Sequence, residues 1–564
     1  MSRSIRNLLL IILFGTLLPC IAFAGGVKNV YLSVTPCEDG EEMPQASVLW
    51  YKDGKTWYFF LPGGTDWEEL RLWTPDYEGK ISINGVEIGN GERLIGITGD
   101  SQLTLEAGKT SYSVVIMSGS AVGALFFSTE SGSMTTVDKS KDNKEGGTAY
   151  FLNPDGSTAY DGGLKHIKLR GNTSATMSKK NYGFKLEKGT SLMGMDKAKR
   201  WVLLGSARDR SLIRNQIVYN MADYVGLKYT PETAQVDVYF NHEYNGVYLL
   251  AEKIEVNDGR VEIDDLEDAT QAVNDQPLES YPQIGAKKTA TKGKYKAFQI
   301  PNDPEDITGG YIIEYENYQP RYKSELCAYT TTRGKVLLCK SPEIASQAQM
   351  EYISTFMQGY ENAIFAEDGI DPDTGKSYDE FVDFDSLVLK YMLEEVSMNC
   401  DGNASSQYYV KPADSQSTVA FAGPAWDYDT TFGDYATAKR KALLDPTAFL
   451  HNTVNSSKYW WPQLYAKSEF LEGIKIQWKK AYAPAMAILL GEETDEEGRL
   501  LSIQEYADLI ADSAAMNFVR WPMTKFGSSS TNIARTGYTI EDNISYLTNF
   551  IQQRRDFLET EWGS

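Results

Sequence analysis

The sequence is poor in the groups that build common metal and redox sites. Its three histidines, His166, His242 and His451, are scattered, and no Cys-x-x-Cys pair occurs, so a zinc centre is not expected. Beyond the N-terminus there is no run of about 18 apolar residues, and no membrane span is expected. Basic charge is also scarce: 55 Lys and Arg stand against 77 Asp and Glu, a formal charge of -22. Such a chain repels nucleic acid and anionic membrane surfaces, so neither is an expected partner. Common nucleotide and protease motifs fail too. Gly189 to Gly194 has P-loop glycine spacing but is followed by Met195 and Asp196, and His242-Glu243 lacks the second histidine of a metalloprotease helix.

What is present begins with a leader. Arg3 and Arg6 precede an apolar stretch from Leu8 to Leu18, and Ala22-Phe23-Ala24 stands before Gly25. This is the pattern of a secretory signal peptide spanning residues 1–24, and it places the mature chain outside the cytoplasm, secreted or at the cell surface. Four cysteines lie beyond it. Cys327 and Cys339 flank two short strand-like runs around Arg333-Gly334, compatible with a cross-strand disulfide or with two free buried thiols.

The texture of the chain divides it. Residues 25–130 read as short strands separated by turns, with Asp53-Gly54 at the centre of one hairpin, and suggest an immunoglobulin-like β-sandwich module. Residues 131–564 mix strands and helices, which makes the whole α+β. DRSLIRNQIVYNMADYVG reads as a helix with Asp209 as N-cap and Gly226 as stop. QVDVYFNHEYNGVYLLAEKIE reads as two strands around Asn245-Gly246. FDSLVLKYMLEEVSMN is an amphipathic helix capped by Asp385, with Val388, Tyr391, Met392 and Val396 inward.

That helix runs into NCDGNASSQYYVK, and a hairpin later comes GPAWDYDTTFGDY. Asp427, Asp429 and Asp434 there sit among Trp426, Tyr428 and Phe432, and crowded carboxylates in apolar surroundings call for a compensating cation. The order is that of protein kinases: Asp401 in a loop after a helix, then a strand pair, then Asp427. In those enzymes the first aspartate receives the hydroxyl proton and the second holds the metal that bridges the phosphates. Upstream, the polar turn after Arg170 joins a strand carrying Lys179, Lys180 and Lys185. Backbone amides and a strand lysine of this kind can meet phosphates, and Lys179 is expected to face solvent.

RGNTSATMSKKNYGFKL, WVLLGSARDRSLIRN, VYFNHEYNGVYLLAEKIE, GGYIIEYEN, NCDGNASSQYYVK and GPAWDYDTTFGDY occur in this order. With them the chain resembles the CotH family of spore-coat-type protein kinases, from about residue 140 to the end. The resemblance implies a divergent kinase fold that uses ATP and Mg or Mn to phosphorylate serine in a protein substrate. It makes Asp401 the catalytic aspartate and Asp427, with Asp429, the metal holders. Arg170, Asn172, Lys180, Lys185 and Glu252 fall in blocks that resemble the nucleotide-binding lobe. One departure stands out: Ser406 occupies the place, five residues after Asp401, where a kinase loop carries a metal-binding asparagine, and Gln407 follows.

Two rival readings accompany this one. Export into a medium poor in ATP suits an inactive kinase-like scaffold that binds surface proteins or glycans, and the N-terminal module is a natural place for such a partner. Paired carboxylates in a chain with 35 tyrosines also suit a glycoside hydrolase, although the lysine-rich block would then have no role.

Overall fold

A computed structural model describes residues 26–37, 41–99, 101–285, 294–316, 319–434, 441–453, 458–525 and 536–564. The expected leader, residues 1–24, lies outside them. The fold is α+β. At the N-terminus a three-stranded sheet, in the order Ser47–Leu49, Tyr31–Ser33, Arg71–Trp73, faces a six-stranded one built around Thr56–Leu61 and Thr110–Ser118. Leu32, Val48 and Leu72 from the first sheet and Phe59, Leu105 and Val114 from the second form one apolar core. Strand alternation explains the next layer. Phe59 points into this core, whereas Phe60, on the opposite face, meets Tyr244 of the following unit at 4.9 Å.

That unit is a closed seven-stranded barrel, ordered Gly123–Thr129, Lys144–Leu152, Thr158–Arg170, Asn181–Thr190, Ala198–Leu204, Glu243–Glu252, Thr233–Phe240. Its first strand, expected from sequence in the N-terminal module, closes the barrel by parallel pairing of Leu125 with Val238. Phe127, Phe151, Ile167, Phe184, Trp201 and Leu250 fill the interior. The strand pair read around Asn245-Gly246 turns instead at Asn241-His242, both left-handed (φ 50° and 72°), and Gly246 lies within the second strand. Asparagine tolerates this conformation, so the turn did not need its glycine.

Helix Arg214–Tyr224 packs on the barrel's outer face and stops at Gly226 (φ 85°). It starts later than expected. Asp209 holds its first turn from outside, accepting from the Ser211 and Arg214 N–H groups at 2.9 and 2.8 Å. The remainder is a seven-stranded antiparallel sheet, with Tyr311–Tyr315 next to Gln407–Lys411 and Phe421–Ala422, covered by helices Gln347–Phe365, Phe384–Ser397, Ser468–Gln477 and Ile540–Trp562. Asp383, not Asp385, caps helix Phe384–Ser397 by accepting from the Ser386 N–H at 2.8 Å. Val388, Tyr391, Met392 and Val396 are buried as read. Among the described residues no helix is long and apolar enough to cross a membrane.

Cys327, just before strand Ala328–Thr330, and Cys339, on the neighbouring strand Val336–Ser341, are free thiols. Each sulfur turns to backbone rather than to the other: the Ala345 N–H lies 3.3 Å from Cys327 Sγ, and the Ser341 carbonyl 3.3 Å from Cys339 Sγ. Burial pushes both thiols up, which keeps them protonated.

Candidate active site

Two loops carry the carboxylates. Helix Phe384–Ser397 ends at Met398 in the left-handed conformation, and the chain turns through Asn399 to Asp401. The Asp401 N–H donates to Asn399 Oδ1 at 3.1 Å, and its carbonyl accepts from Ala404 and Ser405 at 2.7 and 3.0 Å. After Phe421–Ala422 the second loop brings Asp427, itself left-handed (φ 70°). Helix Arg214–Tyr224 fixes it from the side: the Asp427 N–H donates to Tyr219 Oη at 3.3 Å and the Tyr428 N–H to Asn215 Oδ1 at 2.8 Å. The second loop also bonds the helix end, through Phe432 N–H to Ser397 O at 2.7 Å, and the first loop, through Ser406 Oγ to Asp427 Oδ2 at 3.4 Å. Met398, Ser406, Asp427 and Phe432 all have positive φ. Such strain in non-glycine residues persists where the surroundings enforce it, and it concentrates at functional sites.

Asp427 is open to solvent on one side, yet the walls around it desolvate the carboxyl and push its pKa up. Repulsion from Asp401 adds to this, Arg170 and Arg208 oppose it, and Glu314 raises it further. Asp429 is raised for the same leading reason, with Asp427 next and Arg208 opposing. Glu314, buried on Tyr311–Tyr315, is raised by desolvation while Lys340, Arg321 and Arg170 hold it down. Among the described residues the carboxylates here, Asp401, Asp427, Asp429 and Glu314, offer oxygen donors beside the guanidiniums of Arg170 and Arg208. That suits a hard divalent cation which keeps part of its shell for phosphate. Among the described residues no three His, Cys, Asp or Glu form a metal cage by themselves.

The residues called from the lysine-rich block divide. Arg170, at the end of its barrel strand, reaches the aspartates and lies 4.9 Å over the Trp426 ring. Lys180 folds back onto its own turn, donating to the Ala175 and Met177 carbonyls at 2.9 and 3.1 Å. Asn172 is exposed and accepts from Lys141 at 3.2 Å. Lys185 lies on the barrel's outer face, opposite His166 and Arg200. Glu252 is buried 3.6 Å from Arg260, and its carboxylate accepts from the Glu232 N–H at 3.1 Å. Lys179, expected at the surface, is buried against Asn517 Oδ1 at 2.8 Å.

The structure adds groups that sequence reasoning did not single out. Arg208 and Glu314 lie in blocks already quoted, but nothing local marks them as neighbours of Asp427. Gly183 stands on the outer face between Lys168 and Val202, and the atom nearest to a Cβ built there is Trp201 O at 3.9 Å. A strand glycine with open space above it is a place where a ligand can approach the backbone. A separate cavity of about 520 Å³, lined among others by Tyr224, Lys228, Asp385, Phe421 and Lys480, lies at the far end of helix Phe384–Ser397.

A barrel and a helix-covered sheet thus present carboxylates and arginines between them. The family model described as CotH kinase protein matches residues 167–558, well over half of the chain. The chain belongs to the CotH kinase protein family. No curated protein matches it.

Proposed function

We propose that this chain is an exported atypical protein kinase, consisting of an N-terminal β-sandwich and a kinase-like region, that transfers phosphate from metal-ATP to a serine hydroxyl. The observation that carries the reading is the convergence of two loops that brings Asp401, Asp427 and Asp429, whose like charges repel, together beside Arg170 and Arg208. A bound magnesium or manganese ion would relieve that repulsion and neutralise phosphate charge, with Asp427 and Asp429 as its protein ligands. Asp401 orients the acceptor hydroxyl and accepts its proton. Arg170 and Arg208 offset charge on the transferred group, and Gly183 leaves the barrel surface open for the nucleotide. In this scheme positioning and electrostatics supply the rate.

One feature favours the scaffold alternative: Ser406 stands where a kinase loop carries its metal-binding asparagine. Residues 25–564 incubated with Mn-ATP and a serine-rich acceptor decide between them by intact mass. Asp401→Ala should lose phosphate transfer but keep metal-dependent thermal stabilisation by ATP, and Asp427→Ala should lose both. No mass gain and no ATP-dependent shift in the parent would leave the scaffold as the better reading.

A further inference from the structure

We infer that Asn399, held by Glu394, is a positioning residue that sets Asp401 and Asp427 relative to one another; the kinetic part of this inference rests on the phosphotransfer reading above. Glu394 is completely buried in the last turn of helix Phe384–Ser397. Its Oε1 accepts from the Lys390 ammonium and, at 2.6 Å, from the Tyr428 hydroxyl, next to Asp427. Its Oε2 accepts from Asn399 Nδ2 at 2.8 Å. Asn399 then uses its other end, Oδ1, to accept the Asp401 N–H, while Nδ2 lies 3.5 Å from the Asp427 carbonyl.

One buried carboxylate is therefore the common anchor of both loops. The geometry leaves it little slack, because a Cβ placed on Gly402 would sit 2.7 Å from Glu394 Oε2. The chemistry at position 399 is also narrow. A donor must face Glu394 and an acceptor must face the Asp401 amide, which an amide side chain supplies at this length and neither carboxylate nor alkyl does. Leucine at 399 fills similar volume with no polar end, and aspartate puts a second carboxylate against Glu394. In the low-dielectric interior an unpaired hydrogen-bonding group is costly, so the loops should move apart rather than tolerate it.

The test uses the full mature chain without ligand. Hydrogen exchange is followed in segments 400–406 and 426–432 and in the barrel strand around Phe184, for the parent, Asn399→Leu and Tyr428→Phe. Both loop segments should exchange at least about tenfold faster in Asn399→Leu with the barrel unchanged. Should that variant fail to fold, Tyr428→Phe still reads the coupling, by faster exchange in 400–406, a segment it does not belong to. Unchanged exchange there, or a response of only one loop in Asn399→Leu, overturns the inference whether or not the protein is a kinase. For the active parent, Asn399→Leu should lower kcat about a hundredfold while KM for ATP changes less than about fivefold. A folded variant with parental kcat would overturn the positioning role and leave the phosphotransfer reading standing.

Discussion

The guanidinium of Arg170 lies 4.9 Å over the ring of Trp426, and the next residue is Asp427. The end of a barrel strand is thereby attached to the loop that carries the strongest candidate metal ligand. A guanidinium stacks on an indole as a plane and still presents N–H groups at its edge, whereas an ammonium is a point charge. Arg170→Ala should therefore weaken ATP binding by about tenfold or more, measured by titration calorimetry in the presence of Mn. Arg170→Lys should recover part of it, and equal affinity in all three proteins would remove Arg170 from the site.

Gly183 offers a test that does not touch a charge. With Trp201 O at 3.9 Å as the nearest neighbour, a Cβ there meets open space in the free protein. Gly183→Leu should keep or slightly raise the melting temperature, because glycine is a weak strand former. It should nevertheless raise KM for ATP by at least about tenfold. A variant with parental KM would move the nucleotide away from this face of the barrel.

How much of this was legible beforehand depended on distance along the chain. The Asp53-Gly54 hairpin, the Gly226 stop and the buried face of helix Phe384–Ser397 follow from neighbours a few residues apart. That Asp401 comes close to Asp427 was readable from the order of helix, loop and strand pair within quoted blocks. Arg208 and Glu314 were not, because a barrel-to-helix connection and a sheet strand bring them to Asp427 from over one hundred residues away. Glu252 shows a related limit. Its block resembles the nucleotide-binding lobe, and nothing in that block announces that its strand turns it toward Arg260 and Trp201 at the barrel's end. Spacing alone does not reveal which face a residue presents once the sheet has curled into a barrel.

Asp209 and Arg214 form a fully buried pair, and Arg214 Nε also donates to the Thr431 carbonyl at 3.2 Å, behind the Asp427 loop. Removing one partner leaves the other charge uncompensated, which typically costs about 3–5 kcal/mol. Arg214→Met should thus lower the urea midpoint sharply, while Asp209→Asn with Arg214→Met should lower it less than the sum of the single changes. Strict additivity would mean that the two residues act independently.

Glu252 should impose a pH dependence on stability. Desolvation raises its carboxyl from 4.5 to about 7, against opposition from the Glu232 backbone hydrogen bond and Arg260. A raised carboxyl pKa means that the native state holds the proton more tightly than the unfolded chain. Its contribution is full below about pH 4.5 and is lost as the pH rises toward 7. Glu252→Gln removes this term and keeps an acceptor for the Glu232 N–H, and Arg260 retains Glu255 at 2.8 Å. Urea unfolding of both proteins at pH 5 and pH 8 should show the parent losing about 1–3 kcal/mol relative to the variant over that interval. A constant difference between the two proteins would mean that Glu252 is ionised in the native state throughout, with Arg260 outweighing the cost of burial.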